Sequence, residues 1–415
     1  MYFLVSALGS AGDVHPFIAI SKALQARGHE VRLIALAPFE ERVQRAGIAF
    51  TPLGTVDDYQ RLLQRPEMWN PRGGAQLLVK ELLQRLPEAL AVTAALVRPG
   101  ATVLVGSTLS WAMRLVQERC ALPCATVHLS PFALPSASAP PVLPGGIDLS
   151  RLPPRLVRGL QWAVERFLLD PKIAPGLNRL RGDLDLPPVK RVLSRWMHSP
   201  DLVIGAWPSW FAPPAADWPQ PMSSTGFPLF DEPGAAMEDS LLAFLAAGDA
   251  PIGITPGSAM AHGRSFFAMA LKACASIGKR AVLITPFVDQ VPSALPTGVH
   301  HAKWAPFSQL LPRLSALIHH GGIGTSAQAL AAGIPQLVVP FAHDQFDNAV
   351  RLERLDVARS ASRNSDSSER LRGLVESAAV FDGVGRYAGL MASGPPPAEE
   401  IAARLEVFGH LRFGT

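Results

Sequence analysis

The feature that most constrains this chain is an alternation of short apolar runs with helical patterns that begins at the N-terminus. Residues 2–8 form an apolar run compatible with a strand, residues 9–15 a loop of small residues, and residues 16–26 a helical pattern. A second apolar run follows directly at residues 31–37. The order strand, helix, strand is typical of a βαβ unit with a buried parallel sheet.

The same pattern begins again after residue 250. Strands are predicted at 251–255, 281–285, 317–319 and 336–340, and helices at 264–277 and 323–332. Because 415 residues exceed what one ordinary core holds, two domains of roughly 200 residues each are expected. We therefore predict an α/β fold with two Rossmann-like domains. The predicted segments are an N-terminal domain at 1–206, a Pro- and Trp-rich crossover at 207–235, a C-terminal domain at 236–394, and a last helix at 395–415 that packs back towards the N-terminal domain.

Composition excludes several classes of protein. Hydrophobic residues make up 48% of the sequence and charged residues 17%, so disorder is excluded. The net charge of +4 and the lack of any run of Lys or Arg argue against nucleic acid as a partner. Apolar stretches are too short for a membrane span. Cys120, Cys124 and Cys274 match neither a disulfide framework nor a zinc site, which fits a reducing, cytoplasmic compartment.

The most informative stretch is LIHHGGIGTSAQALAAGIPQLVVPFAHDQFDNA at residues 317–349. A predicted strand ends at two histidines, three glycines follow, and a helix is predicted from near Thr325. Bare backbone N–H groups and the positive end of a helix dipole bind phosphate, and missing Cβ atoms permit close approach. The alternative is that the glycines only make a tight strand-to-helix turn.

A second polar cluster follows the next predicted strand. Asp344 and Gln345 come after Pro340, and Asn348 lies one helical turn further on. At the carboxyl edge of a parallel sheet, their paired acceptors and donors suit sugar hydroxyls. The alternative is a solvated helix N-terminus.

These motifs resemble a known family. HHGGIGTSAQALAAGIPQLVVPFAHDQFDNA and GSAGDVHPFIAISKALQARGHEV are similar to the signatures of nucleotide-sugar glycosyltransferases of the GT-B architecture. The resemblance covers nearly the whole sequence and implies two Rossmann-like domains facing each other across a cleft. The first domain would bind the acceptor and the second the nucleotide sugar. LSWAMRLVQE, HLSPFALPSASAPPV, RWMHSPDLV and WFAPPAADWPQPMSSTGFPLFD resemble the rhamnosyltransferase of rhamnolipid synthesis, although DWP and TGF in the crossover also resemble sterol glucosyltransferases.

The resemblance implies a set of donor-binding residues. His320 matches the histidine that binds the diphosphate, with His319 as the alternative, and Thr325 supplies a hydroxyl. Trp304 is expected beneath a pyrimidine base, unless it is a core residue at a strand end. The full expected set is Gly12, Ser258, Trp304, His319, His320, Gly322, Gly324, Thr325, Asp344 and Gln345.

In the reaction that the resemblance implies, an acceptor hydroxyl attacks the anomeric carbon and must lose its proton to a nearby group. The resemblance to bacterial members, which use an aspartate, favours Asp13 over His15 as this general base. The alternative for Asp13 is a helix cap. The expected acceptor-binding residues are His15, Trp111, His128 and Phe132.

The resemblance implies an inverting glycosyltransferase that needs no metal or cofactor. The likeness to the rhamnolipid enzyme implies dTDP-L-rhamnose as the donor and a 3-hydroxyacyl lipid as the acceptor. The alternative is UDP-glucose with a sterol, polyketide or other aglycone. A partner subunit that hands over the lipid, and peripheral contact with the inner face of a membrane, stay open.

Two other classes of protein compete with this interpretation. Gly322, Gly324 and Ala327 satisfy G-x-G-x-x-A after a strand, as in an NAD-dependent oxidoreductase, but this motif does not open its domain. A binding or scaffold protein without catalysis is the other. Asp183 and Asp185 spell D-x-D, a metal motif of other glycosyltransferases, although a solvated loop is favoured there.

Overall fold

The structure is a computed structural model that describes residues 1–71, 73–232, 234–362 and 366–414. The protein forms two compact units. The first comprises Met1–Leu62, Arg72–Phe230 and Pro395–Thr415, and the second Leu63–Pro71 and Asp231–Gly394.

The first unit is built on a parallel sheet of seven strands. Its strands are β1 (Tyr2–Ser6), β2 (Glu30–Leu36), β3 (Ala49–Leu53), β4 (Thr102–Ser107), β5 (Cys124–His128), β6 (Leu202–Gly205) and β7 (Met222–Ser224). They lie in the order β3-β2-β1-β4-β5-β6-β7. Every residue of β1 is buried, as expected for a strand covered on both faces. The direction of the strand order reverses between β1 and β4, and such a switch point opens a crevice at the carboxyl ends of the strands.

The second unit contains a parallel sheet of six strands. These are β8 (Ile252–Thr255), β9 (Ala281–Ile284), β10 (Val299–Ala302), β11 (Ala316–His319), β12 (Gln336–Val338) and β13 (Ala358–Ser360). The order is β10-β9-β8-β11-β12-β13, so the switch point lies between β8 and β11. The glycine-rich loop begins where β11 ends.

Fifteen α-helices connect these strands within the described residues. They are α1 (Ala11–Ala26), α2 (Glu40–Arg45), α3 (Val56–Leu63), α4 (Gly74–Ala95), α5 (Trp111–Cys120), α6 (Pro154–Val164), α7 (Asp170–Gly182), α8 (Asp239–Ala246), α9 (Arg264–Ser276), α10 (Phe307–Leu310), α11 (Ile323–Ala331), α12 (Gln345–Arg354), α13 (Ser368–Val375), α14 (Ala378–Ala392) and α15 (Pro397–Phe413). A π-helical turn at Glu165–Leu169 joins α6 to α7. The C-terminal helix α15 packs against α1.

The predicted two Rossmann-like domains are confirmed, but one predicted helix start that matters for the site is wrong. The expected loop at residues 9–15 is mostly helix, because α1 begins at Ala11 and contains Pro16. The sequence alone favours a start at Pro16, since proline is common in a first turn. A capping box between Ser10 and Asp13 instead begins the helix five residues earlier and places Asp13 in its first turn.

Candidate active site

The switch point of the first unit brings together the loops that follow β1 and β4. The backbone N–H of Leu8 donates to Ser107 Oγ at 3.3 Å, and Ser110 Oγ donates to the carbonyl of Ser6 at 2.8 Å. Two loops far apart in the sequence are thereby fixed side by side. Asp13 lies immediately beyond the first of them.

The Asp13 carboxylate is held in one orientation by the turn that carries it. Its Oδ2 accepts hydrogen bonds from the Ser10 backbone N–H at 2.7 Å and from Ser10 Oγ at 2.9 Å. Gly9 has a φ of +137°, and a Cβ atom there would lie 2.3 Å from Asp13 Oδ2, so this position requires glycine. Asp13 therefore takes part in the helix cap, and the same hydrogen bonds fix the carboxylate that is expected to act as the base.

His15 and Tyr59 share this region of the first unit. Arg42 Nη1 lies 2.9 Å from His15 Nε2, and because a guanidinium only donates, the His15 ring accepts there and carries its proton on Nδ1. Burial, and then the charge of Arg42, lowers the pKa of His15 to about 3. Burial, and then the charge of Asp13, raises the pKa of the Tyr59 phenol. His15 is a neutral hydrogen-bonding group at neutral pH.

In the second unit, the imidazole of His320 lies between two glycines at the switch point. A Cβ atom at Gly257, in the loop after β8, would lie 2.7 Å from His320 Cε1, and one at Gly322 would lie 2.3 Å from His320 Nε2. Nδ1 of this ring is buried and has no hydrogen-bond partner among the described residues. Burial lowers the pKa of His320 to about 4. An unsatisfied buried nitrogen at a switch point indicates a ligand-binding group.

The N-terminus of α11 lies directly beside this ring. Gly322 is the N-cap, and no side chain of the described residues caps the first turn, which contains Gly324 and Thr325. The first N–H groups of a helix have no partner within the helix and favour an anion. Both features predicted for a phosphate site therefore occur together, whereas a simple tight turn would leave His320 unexplained.

The structure distinguishes the two adjacent histidines. His319 is fully buried, its Nδ1 accepts from the Gly321 N–H at 3.1 Å, and its Nε2 bonds Gln336 Oε1 at 3.0 Å. Both ring nitrogens are thus occupied in holding the loop. His320 is the one of the pair whose ring has a nitrogen left for a ligand. Sequence reasoning misses Gln336, because nothing local links it to a residue 17 positions earlier.

Asp344, Gln345 and Asn348 form a second polar cluster on this edge of the sheet. Asn348 Nδ2 donates to the carbonyl of Gly321 at 2.9 Å and to Asp344 Oδ2 at 2.8 Å. Gln345 Oε1 accepts from the backbone N–H groups of Phe341 at 2.8 Å and Ala342 at 3.0 Å. Asn348 therefore ties the glycine loop to Asp344. In the sequence, the spacing of four residues between Asp344 and Asn348 already indicates that the two side chains lie on one side of a helix.

Comparison with known proteins identifies the family. Residues 3–137 match the model of the glycosyltransferase family 28 N-terminal domain. Residues 279–408 match the erythromycin biosynthesis protein CIII-like C-terminal domain. O-mycaminosyltylonolide 6-deoxyallosyltransferase of Streptomyces fradiae is 32% identical over 372 residues, covering 86% of this chain and 85% of its own. The protein therefore belongs to the superfamily of GT-B glycosyltransferases that contains the family 28 and the erythromycin CIII-like enzymes.

Solved structures agree on the fold of this glycosyltransferase. The glycotransferase of kitacinnamycin matches with a TM-score of 0.73 at 20% identity, covering 98% of both chains. Spinosyn rhamnosyltransferase SpnG, complexed with thymidine diphosphate, matches with a TM-score of 0.69 at 20% identity, covering 98% of this chain and 100% of its own. The predicted GT-B fold is confirmed. The family also removes the NAD-dependent oxidoreductase as an interpretation, since G-x-G-x-x-A here follows the fourth strand of its unit in sequence order.

The remaining predicted donor residues of the glycosyltransferase are accessible. Trp304 follows β10 and is 41% exposed, so the core alternative does not hold for this residue. Ser258 is exposed in the loop after β8, and Gly12 lies in the first turn of α1. These positions leave the ring of Trp304 available for a base and the hydroxyl of Ser258 available for a phosphate or sugar.

Two predicted acceptor residues are buried in the first unit: Trp111, the first residue of α5, and His128, the last residue of β5. Trp111 is 2% exposed and packs edge-on against Trp196 at 5.8 Å, and Phe132 is half-buried. His128 is fully buried, with Thr108 Oγ1 at 2.9 Å from its Nδ1 and His198 Nδ1 at 2.8 Å from its Nε2. Of these three hydrogen-bonded side chains, Thr108 is the one that is partly exposed.

The direction of the bonds in this buried row follows from its end. The Leu193 carbonyl can only accept, so His198 carries its proton on Nε2, at 3.1 Å from that oxygen. His198 Nδ1 then accepts from His128 Nε2, and His128 Nδ1 accepts from Thr108. Burial lowers the pKa of His198 to about 4, and burial, followed by the neighbouring His198, holds the pKa of His128 well below its usual value. Thr108 is thereby held with its proton directed inward.

Because these buried histidines are neutral, we expect the folded protein to lose stability as the pH falls. The pKa of His319 is lowered by burial to about 3, whereas an unfolded histidine titrates near 6.5. Between these values the unfolded state binds more protons, so the free energy of unfolding should fall as pH decreases from about 6.5 towards 4, by up to about 1.4 kcal/mol per pH unit for each such group. Urea midpoints measured across this range check the prediction.

One histidine variant tests this pH dependence. Replacing buried His198 with Gln should flatten the slope by about one proton. Equal slopes in wild type and the His198 variant would contradict a neutral buried imidazole.

The described residues contain no group of three or more His, Cys, Asp or Glu placed to hold a metal ion. Asp183 and Asp185 are exposed at the end of α7, in agreement with the solvated-loop interpretation of D-x-D. In the described part of the protein, no helix combines the length and the apolar character needed to cross a bilayer.

Proposed function

We propose that this glycosyltransferase transfers a 6-deoxyhexose, L-rhamnose in the first instance, from a thymidine diphosphate donor to a hydroxyl of an apolar acceptor with inversion at the anomeric carbon. The observation that carries the proposal is the N-terminus of α11, uncapped by any described side chain, beside the unsatisfied His320 Nδ1. Together they match the charge and the acceptor oxygens of a diphosphate. Two similar proteins, a 6-deoxyallosyltransferase and a rhamnosyltransferase complexed with thymidine diphosphate, support the choice of sugar and nucleotide.

Each group has a role in this reaction. The N–H groups of the first turn of α11, with His320 and Thr325, stabilise the charge that develops on the departing diphosphate, so that no divalent metal is required. Asp344 and the Nε2 group of Gln345, whose Oε1 is held by the backbone of Phe341 and Ala342, bind sugar hydroxyls. Asp13 accepts the proton of the attacking hydroxyl as the new glycosidic bond forms.

Asp13 is suited to this role by its setting as well as its type. Its hydrogen bonds to Ser10 fix the carboxylate before the acceptor arrives, so little reorganisation is needed when the proton is transferred. A helix N-terminus stabilises the carboxylate anion, which weakens it as a base. Late proton transfer to an already fixed group tolerates that loss.

Two acceptor classes enter the proposal. A polyketide-type aglycone is supported by the relative that is 32% identical, which is an O-mycaminosyltylonolide 6-deoxyallosyltransferase. A 3-hydroxyacyl lipid is supported by the stretches that resemble the rhamnosyltransferase of rhamnolipid synthesis and by exposed apolar side chains within residues 147–168. Both acceptors present a hydroxyl on an apolar body.

A substrate screen tests the proposed function. Purified enzyme is incubated with dTDP-L-rhamnose, dTDP-glucose or UDP-glucose, each with a macrolide aglycone or a 3-hydroxydecanoyl lipid, and products are identified by mass spectrometry with and without EDTA. We expect rhamnosylated product, undiminished by EDTA, at a rate at least about tenfold above that with UDP-glucose. Transfer from UDP-glucose alone, or transfer abolished by EDTA, would contradict the proposal.

A further inference from the structure

Exposed apolar side chains are concentrated in one segment of the first unit. Among the described residues, sixteen large hydrophobic side chains are exposed, and eight of them lie within residues 147–168. They are Ile147, Leu152, Leu156, Leu160, Trp162, Val164, Phe167 and Leu168, with exposed fractions from 39% to 62%. We call these eight side chains the apolar patch. A concentration of this kind marks an interaction surface rather than scattered surface residues.

The patch follows the geometry of α6 and the turn after it. Leu156, Leu160 and Val164 of α6 recur at every fourth residue, so they follow one another along the helix, and Leu152 lies just before its first residue. The π-helical turn at Glu165–Leu169 then presents both Phe167 and Leu168 to solvent. Exposed apolar side chains therefore extend from just before α6, along this helix, to the π-helical turn that precedes α7.

Buried residues anchor this segment to the first unit. Val157 is fully buried, and Ile173 and Leu177 of α7 belong to the core. Asp170 accepts from the backbone N–H groups of Arg191 at 2.7 Å and Val192 at 3.2 Å. The apolar patch is thus the outer face of an anchored helix, and its exposure is a property of the fold.

The charges along α6 and α7 have one sign. Between residues 149 and 182 every exposed charged side chain is basic: Arg151, Arg155, Arg158, Arg166, Lys172 and Arg179. The acidic residues in this range, Glu165 and Asp170, are both buried, and the exposed Asp148 lies before it, beside Ile147. The whole protein carries a net charge of only +4, so this segment is basic well beyond the average of the protein.

We propose that the apolar patch and its arginines bind the surface of an anionic lipid bilayer, with α6 lying in the plane of the interface. An apolar stripe flanked by basic side chains matches the acyl boundary and the negatively charged headgroups at the same time. A second copy of the protein fits less well, because symmetric pairing would oppose six basic side chains to six others. Binding of this kind would present a membrane-dissolved acceptor to the enzyme, but it does not depend on the proposed function.

Vesicle flotation tests the proposal on the full-length protein without any sugar substrate. The probes are vesicles of phosphatidylcholine alone and of phosphatidylcholine with about 30 mol% phosphatidylglycerol. We expect binding to the anionic vesicles, weak binding to the neutral ones, and a decrease when the salt concentration is raised from about 0.05 M to 0.5 M. Emission of Trp162 should shift to shorter wavelength on binding, and the shift should be lost in Trp162→Phe.

Paired variants locate the surface. The double variant Leu160→Ser and Phe167→Ser should lower the vesicle partition coefficient at least about tenfold, and Arg155→Glu about fivefold. The control is Val407→Ser with Leu411→Ser on α15, two apolar side chains that are 57% and 78% exposed outside the patch, and it should bind like wild type. Absence of wild-type binding to anionic vesicles at low salt would overturn the proposal. So would equal loss in the control, or self-association without vesicles that the patch variants abolish.

Discussion

Asp13→Asn is expected to lower turnover at least about a hundredfold while leaving the affinity for dTDP unchanged. Asparagine keeps the shape of the side chain, and its carbonyl oxygen can still accept from the Ser10 N–H and hydroxyl that hold Asp13 now. What it cannot do is take the proton of the acceptor hydroxyl. Initial rates of transfer from dTDP-rhamnose, with dTDP affinity from titration calorimetry, measure the two effects separately.

Ser10→Ala is the matched control for this prediction. It removes the hydroxyl that bonds Asp13 Oδ2 at 2.9 Å but leaves both the carboxylate and the backbone N–H that bonds it at 2.7 Å. Turnover should then fall only by about tenfold or less, with a small loss of helix stability. If Asp13→Asn turns over within a few-fold of wild type, Asp13 acts as a helix cap and the base lies elsewhere.

His320→Ala is expected to weaken dTDP binding by about tenfold or more, because it removes a hydrogen bond to a charged diphosphate. His300→Ala is the control, since His300 Nε2 is also buried without a hydrogen-bond partner among the described residues but lies on β10, at the far edge of the same sheet. Its dTDP affinity should match that of wild type. Titration calorimetry of the three proteins under one salt condition gives the comparison.

A second variant covers the case in which His320→Ala loosens its loop. Thr325→Ala removes the hydroxyl in the first turn of α11 and should weaken dTDP binding by a few-fold without touching the packing of the ring between Gly257 and Gly322. Undiminished affinity in both variants would place the diphosphate away from the N-terminus of α11.

The sequence is informative wherever the signal is local. Apolar runs of strand length alternate with helical periods, so the two Rossmann-like units and most of their elements can be predicted. The glycines after β11 are also a local signal. Position 321 requires glycine, because its φ is +89° and a Cβ atom there would lie 2.7 Å from Val338 Cγ1. Local conformational preference and close packing against the backbone restrict which residue type can occur at a position, so both can be recognised in the sequence.

Other features depend on contacts between residues that are distant in the sequence, or on structure that must form first. The predicted start of α1 is wrong because Pro16 is a strong local signal, whereas the capping box of Ser10 and Asp13 competes with it only once the helix is formed. Trp111 and Trp304 have the same residue type and opposite exposure, 2% and 41%, because burial is decided by what packs against each ring. Aromatic type alone does not separate a core residue from a binding residue.

By itself, the sequence determined that this protein has two parallel α/β units and a glycine-rich loop after the fourth strand of the second unit, because periodicity and glycine act over a few neighbouring residues. Only the tertiary structure decided that His319 supports the loop while His320 is left for a ligand, since the difference rests on a bond from His319 to Gln336 on another strand. The tertiary structure also decided that apolar side chains of α6 are exposed, because the exposure of each side of a helix depends on what packs against it.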